Sequence, residues 1–216
     1  MNGLPPIQLL PARDRVAAAL REAILSHQYT QGQELTLKGT AAALGVSATP
    51  IREAFQILDR EGLIELRPNR GAIVLGMDEK RIRDHYQTRA ALERAAVILC
   101  CSNRADLSGI ENAFMQAEAA LCSNDSSQYS TQNQAFHMAI WTASGNSKIL
   151  DLLSGLWNGL SMGRQVTQAH YAQISMAEHR QILEALRSRD AQLAGERMEH
   201  HILRSMESVL THLETL

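Results

Sequence analysis

The sequence predicts a mainly α protein in two parts, a three-helix head with a β-hairpin over residues 1–76 and an all-helical bundle over residues 77–216. Two observations carry this division. From Gly45 to Val74 an amphipathic helical segment runs directly into two strand-like segments around the turn Arg67-Pro68-Asn69-Arg70-Gly71. Beyond Gly76 the strand signals stop, no proline follows Pro68, and apolar residues keep a helical period to the C-terminus.

The head reads in order. Asp14 to Leu25 sets Val16, Leu20, Ala23 and Ile24 at helical spacing, and Gln31-Gly32 closes the connection after it. Leu35 through Leu44 predicts a shorter helix with Leu37, Ala41 and Leu44 on its inner face. Gly45 suits the positive backbone torsion of a tight inter-helix turn, and the hydroxyl of Ser47 or Thr49 can cap the helix that follows. Pro50 fits the first turn, where its missing N–H costs nothing. Ile51, Ala54, Phe55 and Leu58 then form a buried stripe, leaving Ser47, Ala48, Thr49, Arg52 and Gln56 to project outward. Leu63–Leu66 and Ala72–Leu75 predict a two-stranded wing whose tip carries Arg67 and Arg70.

A helix with a short polar outer face, a supporting helix before it and a cationic hairpin after it make a winged helix-turn-helix. In such a device the reading helix lies in the major groove and the hairpin reaches the minor groove. An arginine at the start of that helix can pair bidentately with guanine. The plainer reading of the hairpin, a solvated turn in an ordinary small domain, leaves the helix before it unexplained. The run PIREAFQILDREGLIELRPNRGAIV, with QGQEL upstream, resembles the winged-helix domain of the GntR family of bacterial transcription regulators. That resemblance implies DNA contacts at Lys38, Ser47, Thr49, Arg52, Arg70 and Gly71. Many relatives carry arginine where this chain has Ala48, so the base sequence read at that position is expected to differ.

Composition bounds the function. With 216 residues, 45% hydrophobic and 20% charged, the chain can bury a sizeable core, and a net charge of −2 argues against indiscriminate polyanion binding. Its slight cationic excess lies in the first 76 residues. No apolar run reaches membrane-spanning length and the N-terminus lacks a secretion signal, so a cytoplasmic location is expected. Cys100, Cys101 and Cys122, odd in number and without a Cys-x-x-Cys pair, are expected as buried thiols in a reducing compartment.

The second part predicts helices over Glu79–Cys101, Asp106–Ser123, Ser126–Ser144, Ser147–Thr167, Tyr171–Ser188 and Asp190–Thr215, broken at Ser102-Asn103, Asn124-Asp125, Gly145-Asn146 and Ser188-Arg189-Asp190. Connections this short make neighbours antiparallel, and the bundle can enclose a ligand cavity. Seven of the eight histidines fall here. His137 follows Asn133 by one helical turn, on the same face. From His179 up to the break near Arg189 and back down to His201 is about 15 Å each way at 1.5 Å per residue, so the two imidazoles meet at one level. If the helix of His137 packs alongside, three imidazoles converge into a first shell for Zn²⁺ or another divalent transition metal.

The bundle also resembles the FadR-like C-terminal effector domain, FCD, through Arg89-Ala-Ala-Leu-Glu93, Ala135-Phe136-His137 with Ala143-Ser-Gly-Asn146, Glu178-His179, Arg189-Asp190 and Met198-Glu-His-His201. That resemblance to the FadR subfamily implies a metal, Zn or Ni, held by one aspartate and three histidines, which correspond to Asn133, His137, His179 and His201. Asn133 departs from the pattern: a neutral amide donates oxygen without charge, which lowers the expected affinity. Arg89 and Arg164 are candidates to hold the carboxylate of a small effector, although Arg89 can instead pair with Glu93 one turn on. His200 is expected on the surface, Glu178 on a face other than that of His179, and Trp141 and Trp157 in packing. The favoured function is a ligand-responsive DNA-binding regulator, a repressor working as a homodimer on a palindromic operator. A metal-dependent hydrolase or lyase and an effector-free architectural DNA binder are the alternatives.

Overall fold

The computed structural model describes residues 11–25, 28–68, 70–76, 78–159 and 169–214. The chain divides into two compact units, Met1–Met77 and Asp78–Leu216. The fold class matches the expectation: a winged helix-turn-helix followed by an all-helical domain.

In the first unit α1 (Ala12–Leu25), α2 (Leu37–Leu44) and α3 (Ala48–Arg60) pack around a sheet of β1 (Glu34–Leu35), β2 (Ile64–Arg67) and β3 (Gly71–Val74). The strand order is β1-β3-β2 and both pairings are antiparallel, with Leu66 opposite Ala72 and Leu35 opposite the same residue on the other side. Val16, Leu20 and Ile24 of α1 meet Ile51, Ala54, Phe55 and Leu58 of α3, and Leu63, Ile64, Ala72 and Val74 close the core from below. Arg21 grips Glu61 with two hydrogen bonds of 2.9 and 2.6 Å, fastening α1 to the end of α3. Asp59 accepts the amide of Leu66 and so ties α3 to the base of the wing.

Four local expectations are corrected. The inner face of α2 is made by Leu37, Ala41 and the buried Thr40, while Leu44 is 37% exposed, because the chain turns away at Gly45 (φ 64°) one residue later. Ser47 flanks α3 in extended conformation but its side chain caps no amide, and Thr49 lies inside the helix. The wing strands sit one residue apart from their expected limits, at Ile64–Arg67 and Gly71–Val74. A third strand, β1, was not foreseen because two residues carry no periodicity.

The second unit contains α4 (Glu79–Ser102), α5 (Ser108–Cys122), α6 (Ser126–Ala143), α7 (Ser147–Gly159), α8 (Ala169–Arg187) and α9 (Ala191–Glu214). The long helices α4 and α9 pack on one another, as do α5 and α6, and α8 lies against α5 and α9. The helix breaks fall where expected. Asn124 (φ 55°), Gly145 (φ 73°) and Arg189 (φ 58°) each take the left-handed conformation that stops a helix. Asp78, Asp125 and Asp190 accept backbone amides at the starts of α4, α6 and α9. Asp106 and Asp190 are therefore flanking caps, not the first helical residues, since a carboxylate satisfies the free amides better from outside. The guanidinium of Arg189 bonds the carbonyls of Cys100 and Ala105, which stitches the α8–α9 turn to the end of α4. The last part of the helix expected over Ser147–Thr167 lies outside the described residues. Cys100 and Cys101 are buried, but Cys122 is exposed, because the last residue of α5 lies on its outer side. No helix among the described residues is long and apolar enough to cross a membrane.

Candidate functional site

The first unit presents an uncommitted polar and cationic set. Lys38 on α2, Ser47 before α3, Thr49 and Arg52 in its first turns and Arg70 beside β3 are all exposed. No ion pair among the described residues engages Lys38, Arg52 or Arg70. Because the Ser47 side chain caps nothing, its hydroxyl is free to meet a ligand. Gly71 has a separate structural reason: its φ is 100°, and a Cβ there would overlap the carbonyl oxygen of Leu35 on β1. Only glycine lets the wing close against the third strand. Asn69 at the tip lies outside the described residues.

In the second unit α6, α8 and α9 deliver His137, His179 and His201 to one buried point. Their ligating atoms all lie within 4.8 Å of one another, with His179 Nε2 3.2 Å from His201 Nε2. Zn–N bonds of about 2.0–2.1 Å would put two tetrahedral ligand nitrogens about 3.3 Å apart. The His179–His201 pair is therefore already at a ligating separation. The ring of Phe136 stacks on His179 at 4.3 Å between centroids, and the Trp157 ring stands 5.1 Å from His137.

Two buried carboxylates orient the imidazoles from behind. His137 Nδ1–H donates to Glu93 Oε2 at 3.0 Å, and the Trp141 indole N–H donates to the same oxygen at 2.8 Å. His201 Nδ1–H donates to Glu178 Oε2 at 2.6 Å. Each hydrogen bond leaves the Nε2 of that ring as a lone pair aimed at its neighbours, the usual second shell of a metal-binding histidine. The proton between His179 and His201 then resides on His179 Nε2, and His179 Nδ1 is buried without a partner. Arg89 in turn bonds Glu93 through two nitrogens, at 3.0 and 2.9 Å, and Arg204 bonds Glu178 at 2.9 and 2.5 Å.

Burial holds all three imidazoles below the ordinary histidine value, His179 well below it and His201 at about 4. They are neutral near pH 7, as a metal ligand must be. Burial alone would push Glu93 and Glu178 up. His137, Arg89 and Trp141 instead hold Glu93 at about 2, and His201 and Arg204 hold Glu178 at about 2.

Asn133 sits one turn before His137 on α6, half-buried, and its Oδ1 is buried with no hydrogen-bond partner. An orphaned amide oxygen one helical turn from His137 is a donor that a cation could satisfy. The three histidines could thus hold a metal ion, and the residues present fit one. Arg89 takes the pairing alternative, bound to Glu93 with its guanidinium 4.4 Å from the centre of the Trp157 ring. Arg164 lies outside the described residues. His200 is exposed, as expected.

Four partners were missed, Glu178, Arg204, Trp141 and Trp157. Glu178 does leave α8 on a face other than that of His179, yet that face points at α9, where it meets His201 and Arg204. Trp141 is packed as expected, but its N–H also fixes Glu93, and Trp157 borders His137 and Arg89. Only the nearness of Glu178 to His179 and the Arg89–Glu93 spacing hinted at this shell; contacts 44 and 48 residues apart in sequence leave no periodic trace.

These two assemblies, a wing-bearing helix-turn-helix and a helical domain built on buried histidines, define a DNA-binding regulator with a sensory half. Residues 12–74 match the bacterial regulatory proteins of the gntR family and residues 84–204 match the FCD domain. The chain belongs to the GntR family of transcriptional regulators and carries an FCD domain. It is 34% identical over 151 residues to the gluconate operon transcriptional repressor of Bacillus subtilis, covering 68% of this chain and 59% of that one. Among solved structures, a GntR transcriptional regulator from Rhodococcus sp. RHA1 superposes with a TM-score of 0.65 at 26% identity, over 92% of this chain and 97% of that one. The metal-free FCD domain of TM0439, a transcriptional regulator, shares the fold with a TM-score of 0.58 at 22% identity, over 65% of this chain and 99% of that one. The relatives are regulators, so the alternative of a metal-dependent hydrolase or lyase is set aside and the protein is not an enzyme.

Proposed function

We propose that this protein is a cytoplasmic repressor that binds a palindromic operator as a homodimer and is controlled by a small carboxylate together with a divalent metal. Residues 1–76 are the DNA-binding domain, and residues 77–216 bind the effector and dimerise. The observation that carries the sensory half is the convergence of three buried, neutral imidazoles with two carboxylates behind them. Zn or Ni fits such nitrogen donors, with His137, His179 and His201 as ligands and Asn133 Oδ1 as a neutral fourth donor. The carboxylate effector is supported by a relative named for the gluconate operon; Arg164 stays its candidate contact, since the Arg89 guanidinium is already held by Glu93.

On the DNA side, Arg52 reads a base edge, while Lys38, Ser47, Thr49 and Arg70 hold phosphates or groove walls and Gly71 lets the wing backbone approach. A homodimer follows from the small footprint of one reading helix: two half-sites about one helical turn apart supply the missing specificity. The test is binding to fragments selected from the host genome. Arg52→Ala is expected to weaken specific binding by about 1–3 kcal/mol, whereas His200→Ala leaves it unchanged. Wild-type affinity should fall steeply with salt. Equal losses for the two variants would contradict the assignment.

A further inference from the structure

The exposed side of α3 divides in two. Ser47, Thr49 and Glu53 line a cleft shared with Arg13 at the start of α1. Ala48, Arg52 and Gln56 are exposed as well but lie outside that cleft, and their four-residue spacing sets them along one ridge of the helix. Arg52 ends in a guanidinium and Gln56 in an amide, while Ala48 ends in a bare methyl. Ala48 is the first residue of the helix, where a side chain meets base edges once the helix lies in the major groove. A methyl there neither donates nor accepts a hydrogen bond. Set against guanine, adenine or cytosine, it would strip water from a polar edge and return nothing, which costs free energy. Thymine alone presents an apolar group in that groove, its 5-methyl.

We propose that the Ala48 methyl packs on the 5-methyl group of a thymine in each half-site, which makes Ala48 a determinant of operator sequence beside Arg52. This rests on the reading of bases by α3 set out above and goes beyond it, because it fixes the identity of a second base. Four residues of helix rise about 6 Å, and successive bases are about 3.4 Å apart along a strand. The thymine therefore lies within about two base pairs of the base that Arg52 reads. Burying one methyl against another is worth about fourfold in affinity per half-site. Cytosine at that position turns an amino group toward the methyl and is rejected more strongly.

The probe is the tightest-bound duplex from a genome-fragment selection, cut to its palindromic core. Each thymine, together with its symmetry mate, is replaced in turn by deoxyuridine, which removes the 5-methyl and keeps every hydrogen-bonding group. Affinity of the full-length protein is read by fluorescence anisotropy at fixed salt. One symmetric pair of thymines, within about two base pairs of the position whose discrimination Arg52→Ala relaxes, is expected to lose about fourfold per half-site. In Ala48→Gly, which deletes the methyl and keeps the backbone N–H, the thymine and deoxyuridine duplexes should bind equally at that pair. Circular dichroism and an unchanged affinity for an unrelated duplex show that the variant head is intact, and the wild-type scan decides by itself if it is not. A scan in which no thymine methyl matters would overturn the inference. So would a methyl that matters as much in Ala48→Gly as in the wild type, since another side chain then reads it. Specific binding left unchanged by Arg52→Ala would overturn the base-reading role of α3 and this inference with it.

Discussion

Glu93 is the residue on which the buried site turns. It is fully buried, accepts from His137 and Trp141 through one oxygen and is bound by Arg89 through the other. Replacing it with glutamine keeps the shape but leaves the Arg89 guanidinium, itself mostly buried, without its counter-charge. We expect Glu93→Gln to cost about 3–5 kcal/mol, the scale for breaking a buried pair, measured by urea unfolding of the metal-free protein. A loss below about 1 kcal/mol, the scale of an exposed pair, would show that the shell bears little strain. The pairing of Arg89 with Glu93 was legible from their four-residue spacing. The other two bonds to Glu93 were not, because they come from a helix more than forty residues away.

At the scale of elements, what could be read from sequence was what repeats or interrupts. The stripe Ile51, Ala54, Phe55 and Leu58 announced α3, and the polar breaks at Asn103, Asn124, Asn146 and Arg189 announced the turns of the bundle. Strand β1 escaped because it is two residues long, and its consequence, the glycine requirement at Gly71, escaped with it. The meeting of His179 and His201 could be read because helical rise on either side of one turn is simple arithmetic. Their burial has a consequence for the bundle. The three imidazoles titrate below the ordinary value of 6.5, so below about 6.5 the unfolded chain takes up protons that the folded protein does not, over a window that for His201 reaches down to about 4. The stability they allow is present above pH 6.5 and is lost as pH falls through that window, by up to about 1.4 kcal/mol per pH unit for each histidine. Glu93 and Glu178, held at about 2 in the fold, add their own loss only below about 4.5. Chemical denaturation of metal-free protein at pH 7, 6 and 5 should therefore show a steep decline that begins before any carboxylate titrates. A flat profile down to pH 5 would mean that the histidines are protonated in the fold.

For the molecule as a whole, the two units are chemically distinct: one offers exposed hydroxyls with Lys38, Arg52 and Arg70 outside any ion pair among the described residues, the other sets Glu93 and Glu178 against Arg89 and Arg204 around three buried histidines. Coupling between them requires that metal and carboxylate favour one arrangement of the DNA-binding heads over another; a ligand without that preference shifts nothing. The sequence could not reveal the effector, since the residues around the histidine cluster come from five helices and are read only once those helices are packed. The most direct measurement is operator affinity of the full-length protein, by fluorescence anisotropy on a genome-selected fragment at fixed salt, metal-free, with metal alone, and with metal plus carboxylate. The regulator account predicts that metal plus carboxylate changes affinity about fivefold or more, and that His137→Ala abolishes the change without altering metal-free binding. Operator binding that is identical in all three states, across a panel of small carboxylates, would contradict it and leave the protein as an effector-free DNA binder.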